Sequence, residues 1–182
     1  MERELAVGKV SQSRKRASLE IDLNKEFNVD LSGQRALKEA IGQAIVDRIV
    51  KRTKSGKSVQ GGAFRGYSKA YRKSQVFQAA GKGGTPNLTL SGDMLGTMDF
   101  KLKGNKVRIG WDDAEENAKA ANHNQGITLP KREFLGVQTK EIKDIEKDFV
   151  KDFKAALKKK SESRAAFEQA ILGILEANAD GS

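Results

Sequence analysis

The chain contains no cysteine, which excludes disulfides and any thiolate, catalytic or metal-binding. Its single histidine, His123, leaves no second imidazole for a zinc-type site, which needs three or four converging ligands. Prolines number two and aromatics make up 6% of the residues, a composition that predicts a modest core with long polar excursions. No apolar run approaches the roughly 20 residues of a membrane-spanning helix. The opening MERELAVGKVSQSRKR lacks the apolar stretch of a signal peptide. Together these absences predict a soluble protein of a reducing cytosol, with no cofactor and no membrane partner. At 182 residues there is room for one domain with a real core. The expected organisation is one α+β domain over 1–160, with a C-terminal helical extension over 161–182.

What is present in abundance is positive charge, unevenly spread. The net charge is +10, and residues 1–80 hold 17 Lys and Arg against 8 Asp and Glu. Arg48–Lys73 contains nine basic residues and no acidic one. Such one-sided charge predicts a polyanionic or acidic partner, or serves solubility. Part of it falls in the Gly- and Ser-rich KSGKSVQGGAFRG, read as a mobile basic loop near 52–66. Its candidate contacts to a partner or to DNA are Lys51, Arg52, Lys54, Lys57 and Arg65.

Periodicity supplies the elements. ASLEIDL alternates as a strand, with Leu19, Ile21 and Leu23 on one side. SGQRALKEAIGQAIVDRIVKRT reads as a helix capped by Ser32, with Leu37, Ile41, Ile45 and Ile49 on a face that Ala40 and Ala44 complete. YSKAYRKSQVFQAAGK reads as a short helix carrying Tyr67, Tyr71 and Phe77. The clearest local signal is the hairpin MDFKLKGNKVRIGW, turning at Gly104-Asn105. Its register pairs Leu102 with Val107, Phe100 with Ile109 and Met98 with Trp111, all on one face. The other face opposes Lys103 to Lys106 and Lys101 to Arg108, an arrangement that disfavours an isolated hairpin.

DDAEENAKAAN reads as a helix capped by Asp112 or Asp113, followed by a loop, NHNQGITLPKREFLG. TKEIKDIEKDFVKDFKAALKKK then forms an amphipathic helix with Ile142, Ile145, Phe149, Phe153 and Leu157 on its core face. An acidic stripe of Glu141, Asp144, Asp148 and Asp152 runs along it. A last helix presents Phe167, Ala170, Ile171, Ile174 and Leu175. The fold class expected is α+β: a small antiparallel sheet centred on the 98–111 hairpin, packed by helices near 34–52 and 140–159.

Three kinds of function compete. For catalysis, His123 would need an orienting carboxylate and a nucleophile, and no spacing announces a triad. TLSGDM lacks the glycine placement of a nucleophile elbow, and GKGGTPN is not a phosphate-binding loop. The expectation is therefore no enzyme and no catalytic or metal-ligating residue. A nucleic-acid module would use the cations of 48–73 interleaved with Phe64, Tyr67 and Tyr71, without any familiar binding motif. A self-assembling protein fits best. The hairpin cations Lys101, Lys103, Lys106 and Arg108 of one subunit could lie against Glu141, Asp144, Asp148 and Asp152 of the next.

FRGYSKAYRKS, NLTLSGDMLGTM, NHNQG and LPKREFLG occur in that order, with the hairpin between the second and third. This order resembles the bacteriophage virion morphogenesis proteins, the Mu-like tail-completion family. That family carries a Leu-x-x-Ser/Thr-Gly element before a hairpin, then a His-x-x-Gly loop, Pro-x-Arg-x-Phe-Leu-Gly and a closing helix. The matching positions are Leu90, Gly92, His123, Gly126, Pro130, Arg132, Phe134, Leu135 and Gly136, within a resemblance covering roughly 60–158. Glu133 stands where an apolar residue or proline is more usual.

The resemblance implies a structural virion protein at the head–tail junction, assembled in the host cytoplasm. It implies a homo-oligomeric ring, expected as a hexamer, that completes or terminates the tail tube and offers a docking surface to the head and neck. Its partners would be its own copies, tail tube and sheath or neck and connector proteins, and packaged DNA in the channel. Another neck ring, connector or stopper, is the alternative within the class. On this reading Gly126 and Gly136 permit turns and Pro130 stiffens the approach to the last long helix. Arg132 clamps carbonyls or a carboxylate, Phe134 and Leu135 anchor the loop, and His123 donates a structural hydrogen bond.

Overall fold

A computed structural model describes residues 6–81, 83–89, 91–152, 154, 158, 161–166 and 169. The fold is α+β, as the sequence predicts. In chain order come β1 (Ala6–Val7), β2 (Lys9–Ser13), β3 (Arg16–Asp22), α1 (Leu23–Phe27), α2 (Arg35–Lys54), α3 (Lys69–Arg72) and α4 (Gln75–Ala79). They are followed by α5 (Asp93–Gly96), β4 (Asp99–Lys103), β5 (Lys106–Gly110), α6 (Ala114–Gln125), β6 (Val137–Gln138) and α7 (Thr139–Asp148). Among the described residues no helix is long and apolar enough to cross a membrane.

An antiparallel sheet of four strands, ordered β2-β3-β5-β4, is accompanied by a two-stranded pair of β1 with β6. The β4–β5 register is the one the alternation predicts: Phe100 opposes Ile109, Lys101 opposes Arg108, Leu102 opposes Val107, and Lys103 opposes Lys106. Gly104 turns the hairpin at φ +62° while Asn105 keeps a negative φ, the pattern of a type II′ turn. Ala17, Leu19 and Ile21 of β3 and Val107 and Ile109 of β5 are fully buried on one face. The other face is polar and open, as antiparallel sheets allow.

Helix α2 packs against β4 and β5, and α6 against β3. Ile41, Ile45 and Ile49 are fully buried along α2, each contributing about 1.5–3 kcal/mol by removal from water. Two expectations for α2 fail. Ser32 is not its cap, because the Ser32 N–H is taken by Asp30 in a preceding turn and the helix starts at Arg35. Ala40 points to solvent, whereas the buried stripe continues through Lys38. Lys38 Nζ donates to Gly104 O (2.9 Å) and Asn105 Oδ1 (3.2 Å), tying the hairpin turn to the helix.

The expected single helix over 67–82 is instead two short ones, each capped by a serine. Ser68 accepts from Tyr71 N and Ser74 from Phe77 N, so the second cap interrupts the first helix. The predicted core of α7 holds for Ile142, Ile145 and the half-buried Phe149. Phe153 and Leu157 lie outside the described residues. So do Phe167, Ala170, Ile171, Ile174 and Leu175 of the expected extension, of which 161–166 are helical and exposed.

Candidate functional site

Residues 122–136 run from the last turn of α6 to the residue before β6. Asp113 caps α6 by accepting from Glu116 N (2.8 Å), and the alanine-rich run then carries the helix on to Gln125. His123 therefore rides the last helical turn rather than a loop. Gly126 ends the helix in the left-handed region (φ +73°), its N–H bonding Asn122 O. The chain folds straight back, and Arg132 N donates to His123 O (2.8 Å).

The returning strand of motif residues is pinned from three sides. Asn124 Oδ1 accepts from both Phe134 N and Leu135 N (3.0 Å each). Arg52 Nη2 donates to Phe134 O (2.8 Å) and Gly136 O (2.7 Å), while Nη1 pairs with Glu141. Val59 N donates to Glu133 O (2.8 Å), and Gln138 Nε2 donates to Val59 O (3.0 Å). Phe134 and Leu135 are buried as expected, and Phe134 meets Trp111 edge-on at 6.1 Å. Each buried peptide group here would cost about 1–3 kcal/mol if left unpaired, so the network is what permits an irregular segment to run through the core. Gly136 is required twice over. Its φ is +148°, and a Cβ there would sit 2.7 Å from Val59 Cγ2.

Both arginines turn inward, Arg132 as expected and Arg52 against expectation. Arg52, expected on a mobile loop facing a partner or DNA, is 7% exposed and clamps the motif segment from α2. It is not a surface contact, because it sits three residues past Ile49 on the buried stripe. Arg132 is also buried. Its Nε meets Arg65 O at 3.3 Å, and its guanidinium lies 5.3 Å from the Tyr67 ring centre. It clamps a carbonyl, as the motif implied, and an aromatic face rather than a carboxylate. The loop near 52–66 is not loose either. Lys57 bridges Ala63, Phe64 N bonds Gly56 O, and Val59 and Phe64 are buried.

His123 Nδ1 is buried without a hydrogen-bond partner. Burial, and then the nearby Arg132 charge, push its pKa down to about 4. Its backbone carbonyl accepts from Arg132 N, and the expected structural hydrogen bond is not made through Nδ1. Among the described residues no group of three or more His, Asp or Glu is placed to hold a metal ion. Pro130 is half-buried, Gly92 begins α5 at φ +91°, and Leu90 lies outside the described residues.

The charged stripes are partly satisfied within the chain itself. Lys106 pairs with Glu20 of β3 (2.9 Å), Lys101 with Asp112 (2.5 Å), and Arg108 Nη2 reaches Ser18 Oγ (3.3 Å). The Lys106 contact holds the Glu20 carboxyl below its ordinary pKa. Hairpin repulsion is therefore relieved by a neighbouring strand whose pairing with β5 is non-local. Lys103 is exposed and makes no ion pair among the described residues. On α7, Glu141 belongs to Arg52 and also accepts from Gln138 N (2.8 Å) in a capping box, so it is no longer offered to a neighbour. Asp148 pairs with Arg48 at 2.7 Å, Asp144 is half-buried and Asp152 is exposed.

Between its pinned ends the segment leaves Ile127 and Leu129 each 41% exposed. The turn that carries them is closed by Asn122, whose Nδ2 donates to Thr128 Oγ1 (2.7 Å) and whose Oδ1 accepts from Thr128 N (2.9 Å). No family model, curated protein or solved structure matches the chain.

Proposed function

We propose that this chain is a structural virion subunit of a phage head–tail junction, forming a ring that completes or terminates the tail tube. The order of the four sequence motifs supports this reading. The observation that carries it is that the motif residues build a rigid mount rather than a reaction centre. Arg52, Asn124 and Gln138 hold the 132–138 backbone from within, and the mount holds out Ile127 and Leu129. A preordered surface loses little entropy on docking, and repetition around a closed ring multiplies modest contacts. Lys103 on the open sheet face, opposite Asp144 and Asp152 of a neighbouring copy, would add a charge-complementary rim.

The test is light scattering on the wild type and on Ile127→Glu/Leu129→Glu, with circular dichroism as a folding control. The reading requires a multimer that the double variant dissociates while keeping its helical signal. A multimer unaffected by both charges would remove this surface from the account.

A further inference from the structure

From Arg48 to Gly92 the chain has no carboxylate side chain. Two of its cations are occupied, Arg48 by Asp148 and Arg52 by Glu141. Lys51, Lys54, Lys57, Arg65, Lys69, Arg72 and Lys73 are all exposed, and none makes an ion pair among the described residues.

These seven are linked by a continuous series of contacts. Lys51 and Lys54 occupy the last turn of α2. The Lys57–Ala63 bridge and the Phe64 N to Gly56 O bond (2.8 Å) fold the following loop back, keeping Lys57 and Arg65 close to one another. Arg65 O is held by Arg132, and Arg132 stacks on Tyr67. Tyr67, Tyr71 and Phe77 pack with ring centres 5.1–5.4 Å apart, which fixes α3 and its Lys69, Arg72 and Lys73 beside that loop. The nearby Glu133, whose carbonyl meets Val59, has its carboxylate on Lys131 (3.2 Å).

We propose that this basic face binds the phosphate backbone of duplex nucleic acid without sequence preference. Seven unpaired cations in one tract are the footprint of phosphate neutralisation. A protein partner would call for an apolar or aromatic centre, and lysine is depleted from such centres. Here Phe77 is buried with Tyr67 and Tyr71 half-buried against it, and the exposed Val76 is a single aliphatic side chain rather than an apolar centre. The same packing argues against single strands, which need open rings for base stacking. The inference rests on the ring reading only in that a ring would repeat the face around its circumference, because the face belongs to each subunit.

The experiment is fluorescence anisotropy with a labelled 24-base-pair DNA duplex of arbitrary sequence, titrated at several salt concentrations, with light scattering on the same samples. Full engagement gives a slope of log affinity against log salt near about −6. Lys57→Gln/Arg65→Gln/Lys69→Gln/Lys73→Gln should reduce that slope to about −3 and lower affinity by at least about tenfold. Lys9→Gln/Lys25→Gln, exposed cations of β2 and α1 outside both this tract and the proposed ring contacts, should leave both nearly unchanged. Absence of duplex binding, equal loss in that control variant, or equally tight binding of polyglutamate would each overturn the proposal. Light scattering reports ring formation separately, so a ring that ignores DNA and a DNA-binding monomer are distinct results.

Discussion

Arg52 and Gly136, 84 residues apart in sequence, are joined by a buried 2.7 Å hydrogen bond from Nη2 to the glycine carbonyl. The same guanidinium bonds Phe134 O and pairs with Glu141, so one side chain ties α2 to the motif segment and to the start of α7. Removing one member of a buried pair leaves the other charge stranded, at about 3–5 kcal/mol. Arg52→Ala should lower the urea unfolding free energy by that amount. Arg52→Lys should recover only part of it, because an ammonium cannot span two carbonyls and a carboxylate in one plane.

Gly136→Ala isolates the backbone requirement without touching a hydrogen-bonding group. The left-side φ and the approach to Val59 together predict a loss of about 2 kcal/mol or more by urea denaturation. Val59→Ala in the same background should return some of it by clearing the space the methyl needs.

His123 makes stability depend on pH. Its folded pKa of about 4 lies below the ordinary 6.5, so between these values the unfolded chain binds the extra proton. The stabilisation is present above about pH 6.5 and is lost as pH falls toward 4. From pH 7 to pH 5 this should cost about 2 kcal/mol more in the wild type than in His123→Leu. Urea midpoints of both proteins at the two pH values supply the comparison, since carboxylate titration is common to both.

Local patterns in the sequence carried much of this fold. Gly104-Asn105 and the alternation on either side were enough for the β4–β5 register, and Asp113 for the start of α6. Long-range pairing was not legible. KVSQS in β2 has one apolar residue, and nothing local places Glu20 beside Lys106. The clamp itself left a signal that the charge count obscured. Lys38, Ile41, Ile45, Ile49 and Arg52 fall three or four apart, which puts both cations on the buried stripe of α2. Asn124 likewise follows the buried Ala120 and Ala121 on the inner face of α6. A polar residue in such a row must find partners, and here those partners are the motif backbone.

Assembly is the claim on which the functional account depends. Native mass spectrometry of the purified protein, at micromolar concentration and moderate salt, measures it without any partner present. The account predicts one closed species at a whole-number multiple of 19.9 kDa, sixfold for the expected hexamer. A single 19.9 kDa species that persists as concentration rises would contradict it.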